Sequence, residues 1–125
     1  MRTVAGGLFL PSLQSRDYTP GEKLALWRGK AASGPSCMWD EMLRTDLSRR
    51  VPEVTVPVYF FHGVHDYTCS YPEAEAYFDA LRAPLKGFYA FTRSAHSPVF
   101  EEPEMARRIL REDVLGGTNR LADRK

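Results

Sequence analysis

Val54-Thr55-Val56-Pro57-Val58-Tyr59-Phe60-Phe61-His62-Gly63-Val64-His65-Asp66 is the stretch on which the fold turns. From Val54 to His62 it is dense in β-branched and aromatic residues, which fits a strand covered on both faces, as in a parallel sheet. Pro57 has no N–H to give to a ladder and belongs near the start of that strand. Gly63 ends it. After a polar loop comes Ser70-Tyr71-Pro72-Glu73. A hydroxyl at the N-cap with a carboxylate three residues on is a capping box. The helix it opens carries Tyr71, Ala74, Phe78 and Leu81 on one stripe and stops before Pro84. Gly87 to Phe91 reads as a second strand. A strand–helix–strand unit of this length implies parallel pairing through a right-handed crossover, so the expected class is α/β.

Outward from this centre the signals change. The loop Thr92 to Pro98 leads to a helix near Pro103, with Met105, Ile109 and Leu110 expected to face inward and an end by Gly116-Gly117. Thr118 to Lys125 is expected to be a frayed tail. Upstream, Thr19-Pro20-Gly21-Glu22 is another capping box, opening a helix expected to stop at Gly29 and to pack Leu24, Trp27 and the stem of Lys23. A short helix from about Ser36 to Thr45 pairs Met38 with Met42 and Trp39 with Leu43 at i,i+4 spacing. The expected organisation is a helical segment over 1–50 without strands, an α/β core segment over 51–117, and a tail over 118–125.

The chain has 125 residues, 43% of them hydrophobic, with 17 Lys and Arg against 16 Asp and Glu. This is the composition of a globular domain. The near balance of charge argues against a nucleic-acid or polybasic membrane binder. Arg107, Arg108, Arg111 and Lys125 are offset by Glu101, Glu102, Glu104, Glu112 and Asp113 and read as a solvated face. Two cysteines, Cys37 and Cys69, are too few for a disulfide scaffold and are read as free thiols in a reducing compartment, Cys69 as a small buried residue. The apolar run within Met1 to Leu10 is short, holds two glycines and lacks a small-residue cleavage site, so a cytoplasmic location is expected.

In open parallel sheets, ligands bind beyond the carboxyl ends of the strands. Two loops leave the predicted strands there: His62-Gly63-Val64-His65-Asp66-Tyr67 and Ser94-Ala95-His96-Ser97-Pro98. Neighbouring strands lie about 4.8 Å apart, so Asp66 and His96 can meet. A carboxylate that accepts the Nδ1–H of an imidazole orients a general base and stabilises its protonated form. His62, His65 and Asp66 also spell a metal-like spacing. The alternation of side chains along a strand argues against convergence there, and no metal or cofactor is expected.

These residues resemble the α/β hydrolases. His62-Gly63-x-x-Asp66 after an apolar strand looks like that family's acid loop. Ser94-Ala95-His96-Ser97-Pro98, followed by Phe100-Glu101-Glu102-Pro103, looks like its histidine loop, in the branch of proline iminopeptidases and epoxide hydrolases. Leu26-Trp27-Arg28-Gly29-Lys30 and Trp39-Asp40-Glu41-Met42-Leu43 are similar to the end of the family's helical cap. The resemblance implies the C-terminal portion of an α/β-hydrolase fold, the last two parallel strands with their helices behind a cap remnant. Asp66 would be the triad acid and His96 the base.

The family's nucleophile, a Ser in G-x-S-x-G on a strand-to-helix turn, has no counterpart. Gly34-Pro35-Ser36-Cys37-Met38 comes nearest, but no strand precedes it, Met38 stands where the turn needs a small residue, and Ser36 reads better as an N-cap. Gly6-Gly7 does not fit the oxyanion loop. Residues 1–19 read as mid-protein sequence, so Met1 is expected to be an internal methionine. The expected function is that of a C-terminal piece of a hydrolase acting on esters or amides, inactive alone, its nucleophile a Ser or a carboxylate from an upstream polypeptide that completes the sheet. The alternative is a non-catalytic interaction module that uses an exposed sheet edge.

Overall fold

The computed structural model describes residues 10–33 and 37–125, which divide between Asp46 and Leu47 into two compact units. Gly6-Gly7, and Gly34 to Ser36 of the serine-containing segment, lie outside the described residues.

The first unit contains α1 (Leu10–Gln14), α2 (Pro20–Ser33) and α3 (Cys37–Arg44), and no strand among its described residues. The capping box at α2 closes in both directions. Glu22 N–H donates to Thr19 Oγ1 at 3.3 Å, and Thr19 N–H donates to Glu22 Oε2 at 2.8 Å. The helix runs through Gly29 to Ser33, past the expected stop. A mid-helix glycine costs only about 1 kcal/mol, and Lys30, Ala31 and Ala32 are good helix formers. Trp27 Nε1–H donates to Ser12 Oγ at 3.0 Å, tying α2 to α1. Leu24 is exposed, contrary to expectation, as are Met38, Trp39, Met42 and Leu43.

The second unit begins with α4 (Leu47–Arg50). β1 (Val58–Gly63) and β2 (Lys86–Phe91) then pair in parallel, joined by α5 (Tyr71–Ala80). The register sets Val58 opposite Lys86 and Gly63 opposite Phe91. β1 starts after Pro57, with only an isolated bridge from Glu53 to Arg82 before it. α5 covers one face, where Phe60, Phe78 and Phe88 meet edge-on or stacked at 5.5–6.0 Å. Lys86 Nζ closes the end of this helix by donating to the Phe78 and Leu81 carbonyls at 2.6 and 3.0 Å. On the other face lie α6 (Pro98–Glu101), α7 (Pro103–Ile109) and a π-helical turn over Leu110–Val114. Ala106 and Ile109 pack there on Tyr89 and Phe91.

The wider turn shifts the helical phase. Leu110, expected inward, is exposed, and Asp113 is buried in its place. The expected fraying of Thr118 to Lys125 is corrected: this segment is docked. Asp113 accepts from Tyr89 Oη (2.8 Å), Thr118 Oγ1 (2.6 Å) and the N–H groups of Arg120 and Leu121 (both 2.8 Å). Burial pushes the Tyr89 phenol's pKa up, and Asp113 pushes it further, so the phenol keeps the proton it donates. Gly117, at φ 61°, lets the chain reverse.

The outer edge of β2 is thereby sealed. Phe88 N–H donates to the Arg124 carbonyl at 3.0 Å, Asp123 N–H to the Phe88 carbonyl at 2.9 Å, and Ala90 N–H to Asp123 Oδ2 at 2.8 Å. β1 differs. Its Val58 N–H, like the N–H of Val64 just past its end, points at β2. The alternation of a strand therefore turns the N–H and C=O groups of Tyr59 and Phe61 outward. Among the described residues no strand meets that edge. An apolar groove of Tyr59, Phe61, Val99, Leu110 and Val114 lies beside it. Val58 to Phe61 are accordingly half-buried, short of the full cover expected from their composition.

Candidate active site

Both loops at the carboxyl ends of β1 and β2 turn toward each other. Backbone bonds join them: Val64 N–H to the Phe91 carbonyl and His65 N–H to the Ser94 carbonyl, each 3.1 Å. The approach requires Gly63. A methyl group there would overlap the Ala95 carbonyl oxygen and stand 2.5 Å from that of Ser94. Gly63→Ala is therefore expected to push the loops apart and to destabilise the fold by about 1–3 kcal/mol. In the nuclear magnetic resonance spectrum the His96 ring signals should move as the ring parts from Asp66. A variant with native melting and an unchanged His96 resonance would contradict this.

Asp66 is buried in this junction and His96 is exposed at its rim. The Oδ1 atom of Asp66 accepts the N–H groups of Thr68 and Cys69 at 2.8 and 3.0 Å. Oδ2 faces His96 Nδ1 at 2.9 Å. Burial raises the pKa of Asp66, but the bonds from Cys69, His96 and Thr68 outweigh it and hold the carboxyl below its ordinary value. The carboxylate is thus fixed as an acceptor with one oxygen reserved for the imidazole. These are the two residues that sequence reasoning singled out.

The expected capping box at α5 does not form. Ser70 makes no side-chain cap bond. Pro72 removes one of the first-turn donors, and Asp66 takes two N–H groups just ahead of the helix. His62 stacks on Tyr71 at 5.5 Å and 3°. Its Nδ1 lies 3.9 Å from Asp66 Oδ2, while His65 is exposed, so the two histidines do not converge as a metal pair. Burial lowers the pKa of His62, with Asp66 opposing and His96 adding to the effect, so its ring is held neutral. Cys69, expected to be buried, is exposed beside Asp66.

Two further acids, which the sequence reading placed in the histidine-loop motif and among the charges of a solvated face, fix the loop that carries His96. Glu102, buried, accepts from Ser94 Oγ at 2.8 Å and from Arg93 N–H at 2.9 Å. Glu101 accepts from Ala95 N–H. Both act on the residues just before His96 and fix the path of its loop. Burial raises the pKa of Glu102, yet the bonds from Ser94 and Arg93 leave it below its ordinary value. Asp113 behaves alike: burial opposes the bonds from Thr118, Leu121, Tyr89 and Arg120, and the bonds win.

The folded pKa values of Asp66, Glu102 and Asp113 therefore all lie below the unfolded ones, near 4. Their stabilisation is fully present above the unfolded values and is lost as pH falls through the folded ones. The thermal midpoint is expected to decline modestly below about pH 6.5, where unfolded His62 takes up a proton that the buried ring disfavours, and to fall steeply below about pH 4 as the three carboxylates protonate. A midpoint that stays level down to about pH 3 would refute it.

No helix among the described residues is long and apolar enough to cross a membrane. No family model matches the chain. No solved structure matches it either. A Bacillus subtilis (strain 168) protein described as probable aminopeptidase YbaC is 36% identical to it over 66 residues, 53% of this chain and 21% of that protein. The chain thus spans about a fifth of the relative it matches. Over about half its length it is similar to a protein named as a peptidase, a hydrolase-like relationship.

Proposed function

We propose that the chain is the C-terminal portion of an α/β hydrolase that cleaves ester or amide bonds, and that it supplies the acid and the base of the triad. The observation that carries this reading is the 2.9 Å contact between Asp66 Oδ2 and His96 Nδ1 at the ends of adjacent parallel strands. With Nδ1–H held by Asp66, the Nε2 lone pair of His96 takes the proton of a hydroxyl as it attacks the scissile carbonyl. The imidazolium that forms is stabilised by the buried carboxylate, and Nε2 then gives its proton to the leaving group. The nucleophile and the oxyanion donors come from an upstream polypeptide, and the open edge of β1 is the surface on which its sheet continues. Where that nucleophile is a carboxylate, His96 instead activates water.

The test joins the chain to the polypeptide encoded upstream, or co-expresses the two. Hydrolysis of p-nitrophenyl esters or aminoacyl anilides is expected from the pair, none from the chain alone, and none from the pair with His96→Ala. Turnover by the isolated chain that depends on His96 would overturn the division of labour. The open edge also supports a second reading, a module that binds a partner through β1. Partner binding indifferent to Asp66→Ala and His96→Ala, with no hydrolysis by the pair, would favour it.

A further inference from the structure

The loop between β1 and α5 brings a third group to the acid and the base. Cys69 Sγ, one carboxylate oxygen of Asp66 and one imidazole nitrogen of His96 all lie within 4.8 Å of one another. We propose that these three side chains form a binding site for a thiophilic divalent cation, zinc above all. Thiolate, imidazole and carboxylate are the donors zinc takes, at 2.0–2.3 Å. Two donors on one tetrahedral zinc stand about 3.3–3.8 Å apart. The Asp66–His96 pair, at 2.9 Å, opens by about 0.5 Å and the contacts to Cys69 Sγ, within 4.8 Å, close by about 1 Å; Cys69 and His96, both exposed, have the freedom to rotate.

The anchoring donor is already fixed. Asp66 Oδ1 is held by the Thr68 and Cys69 N–H groups, and Oδ2 remains turned to the site. The bond from Cys69 N–H also holds the cysteine's own backbone against the carboxylate, so two of the three ligands share one rigid turn. The charges match: a carboxylate and a thiolate neutralise a divalent cation. The exposed rim leaves the fourth position to water. Calcium and magnesium, which take oxygen donors, should be rejected.

Protons balance as follows. The Cys69 thiol gives its proton to solvent. His96 offers the Nδ1 lone pair to the metal, and its proton resides on Nε2. Binding therefore breaks the Nδ1–H bond to Asp66 and leaves Nε2 unable to accept a proton. On the hydrolase reading this makes zinc an inhibitor of the completed enzyme, whereas the binding itself does not depend on that reading.

Cobalt(II) titration of the 125-residue chain under reducing conditions tests the binding directly. A thiolate-to-cobalt charge-transfer band should rise to a one-to-one end point and be displaced by zinc but not by magnesium. Cys69→Ser is expected to abolish the band and His96→Ala to weaken zinc by about 10–100-fold or more. Both residues are exposed, so these variants should keep the native circular dichroism. Cys37→Ser should leave the titration unchanged. Absence of the band, or a band that survives Cys69→Ser and disappears with Cys37→Ser, would overturn the proposal.

Discussion

Asp113→Ala is expected to lower the stability of the C-terminal unit by about 3–5 kcal/mol, enough to consume much of the margin of a small domain. Asp113 is fully buried and accepts four hydrogen bonds, from Tyr89 Oη, Thr118 Oγ1 and two backbone N–H groups. Alanine leaves the Tyr89 hydroxyl in the core without an acceptor and frees the backbone at Arg120 and Leu121. Each donor so stranded costs about 1–3 kcal/mol when it stays buried. The loss should spread from there. The segment pinned by Asp113 carries Asp123 and Arg124, which satisfy β2 at Phe88 and Ala90, and Arg124 also binds Glu75 and Asp79 at 2.9 and 2.7 Å. Urea denaturation should show the drop, and amide exchange at Phe88 and Ala90 should accelerate with it. Asp113→Asn, which keeps the shape and an acceptor, should lose less. A variant that melts like the parent and protects Phe88 equally would show that the tail is held by something else.

This docking bears on function because it makes the two edges of the sheet unequal. β2 has its outward groups satisfied by the chain's own end, whereas β1 presents Tyr59 and Phe61 beside an apolar groove. Among the described residues, the edge of β1 is therefore the one left open to growth of the sheet. That is the side from which a preceding polypeptide must add if it is to bring a hydroxyl to His96.

The meeting of Asp66 and His96 was legible in the sequence for a specific reason. Strand ends can be read from a β-branched run closed by glycine, and parallel strands one crossover apart bring the next few residues of each into reach. Asp66 and His96 needed nothing finer. The supporting acids needed side-chain reach across a turn: Glu102 lies eight residues beyond Ser94 in chain order yet 2.8 Å from it in space, because α6 folds back. The tail was misread because Asp113 was counted with the charges of a solvated helix face. The π-helical turn at Leu110 moves it a step around the axis and into the core, exchanging places with Leu110. A period of 3.6 residues cannot register that change. The clue within reach was Gly116-Gly117 followed by Asn119 and Asp123, a reversal with polar groups suited to an exposed strand edge. The missing Ser70 cap has the same origin, since the donors it would serve are limited by Pro72 and the turn ahead is already closed by Asp66.

On the proposed hydrolase reading, Asp66→Asn in the completed enzyme is expected to lower kcat by about 10⁴-fold with little change in KM. The size follows from how the carboxylate is held. Oδ1 is fixed by two backbone donors, the N–H groups of Thr68 and Cys69. An asparagine must therefore keep its carbonyl oxygen there and turn its NH₂ group toward His96. That group donates where Oδ2 accepted. Nδ1 is then forced to be the acceptor and the ring proton moves to Nε2, the atom that has to receive the proton of the attacking hydroxyl. The ring keeps its position and loses its chemistry, which is why binding should survive. The imidazolium formed during attack also loses its counter-charge. His96→Ala on top of Asp66→Asn should then add far less than it does alone, since the two act as one unit. Nuclear magnetic resonance of the imidazole nitrogens in Asp66→Asn provides a readout that a merely structural role would not move: the proton should pass from Nδ1 to Nε2. A loss of less than about tenfold in kcat, with the tautomer unchanged, would reduce the Asp66–His96 contact to a loop tie and remove the basis of the hydrolase assignment.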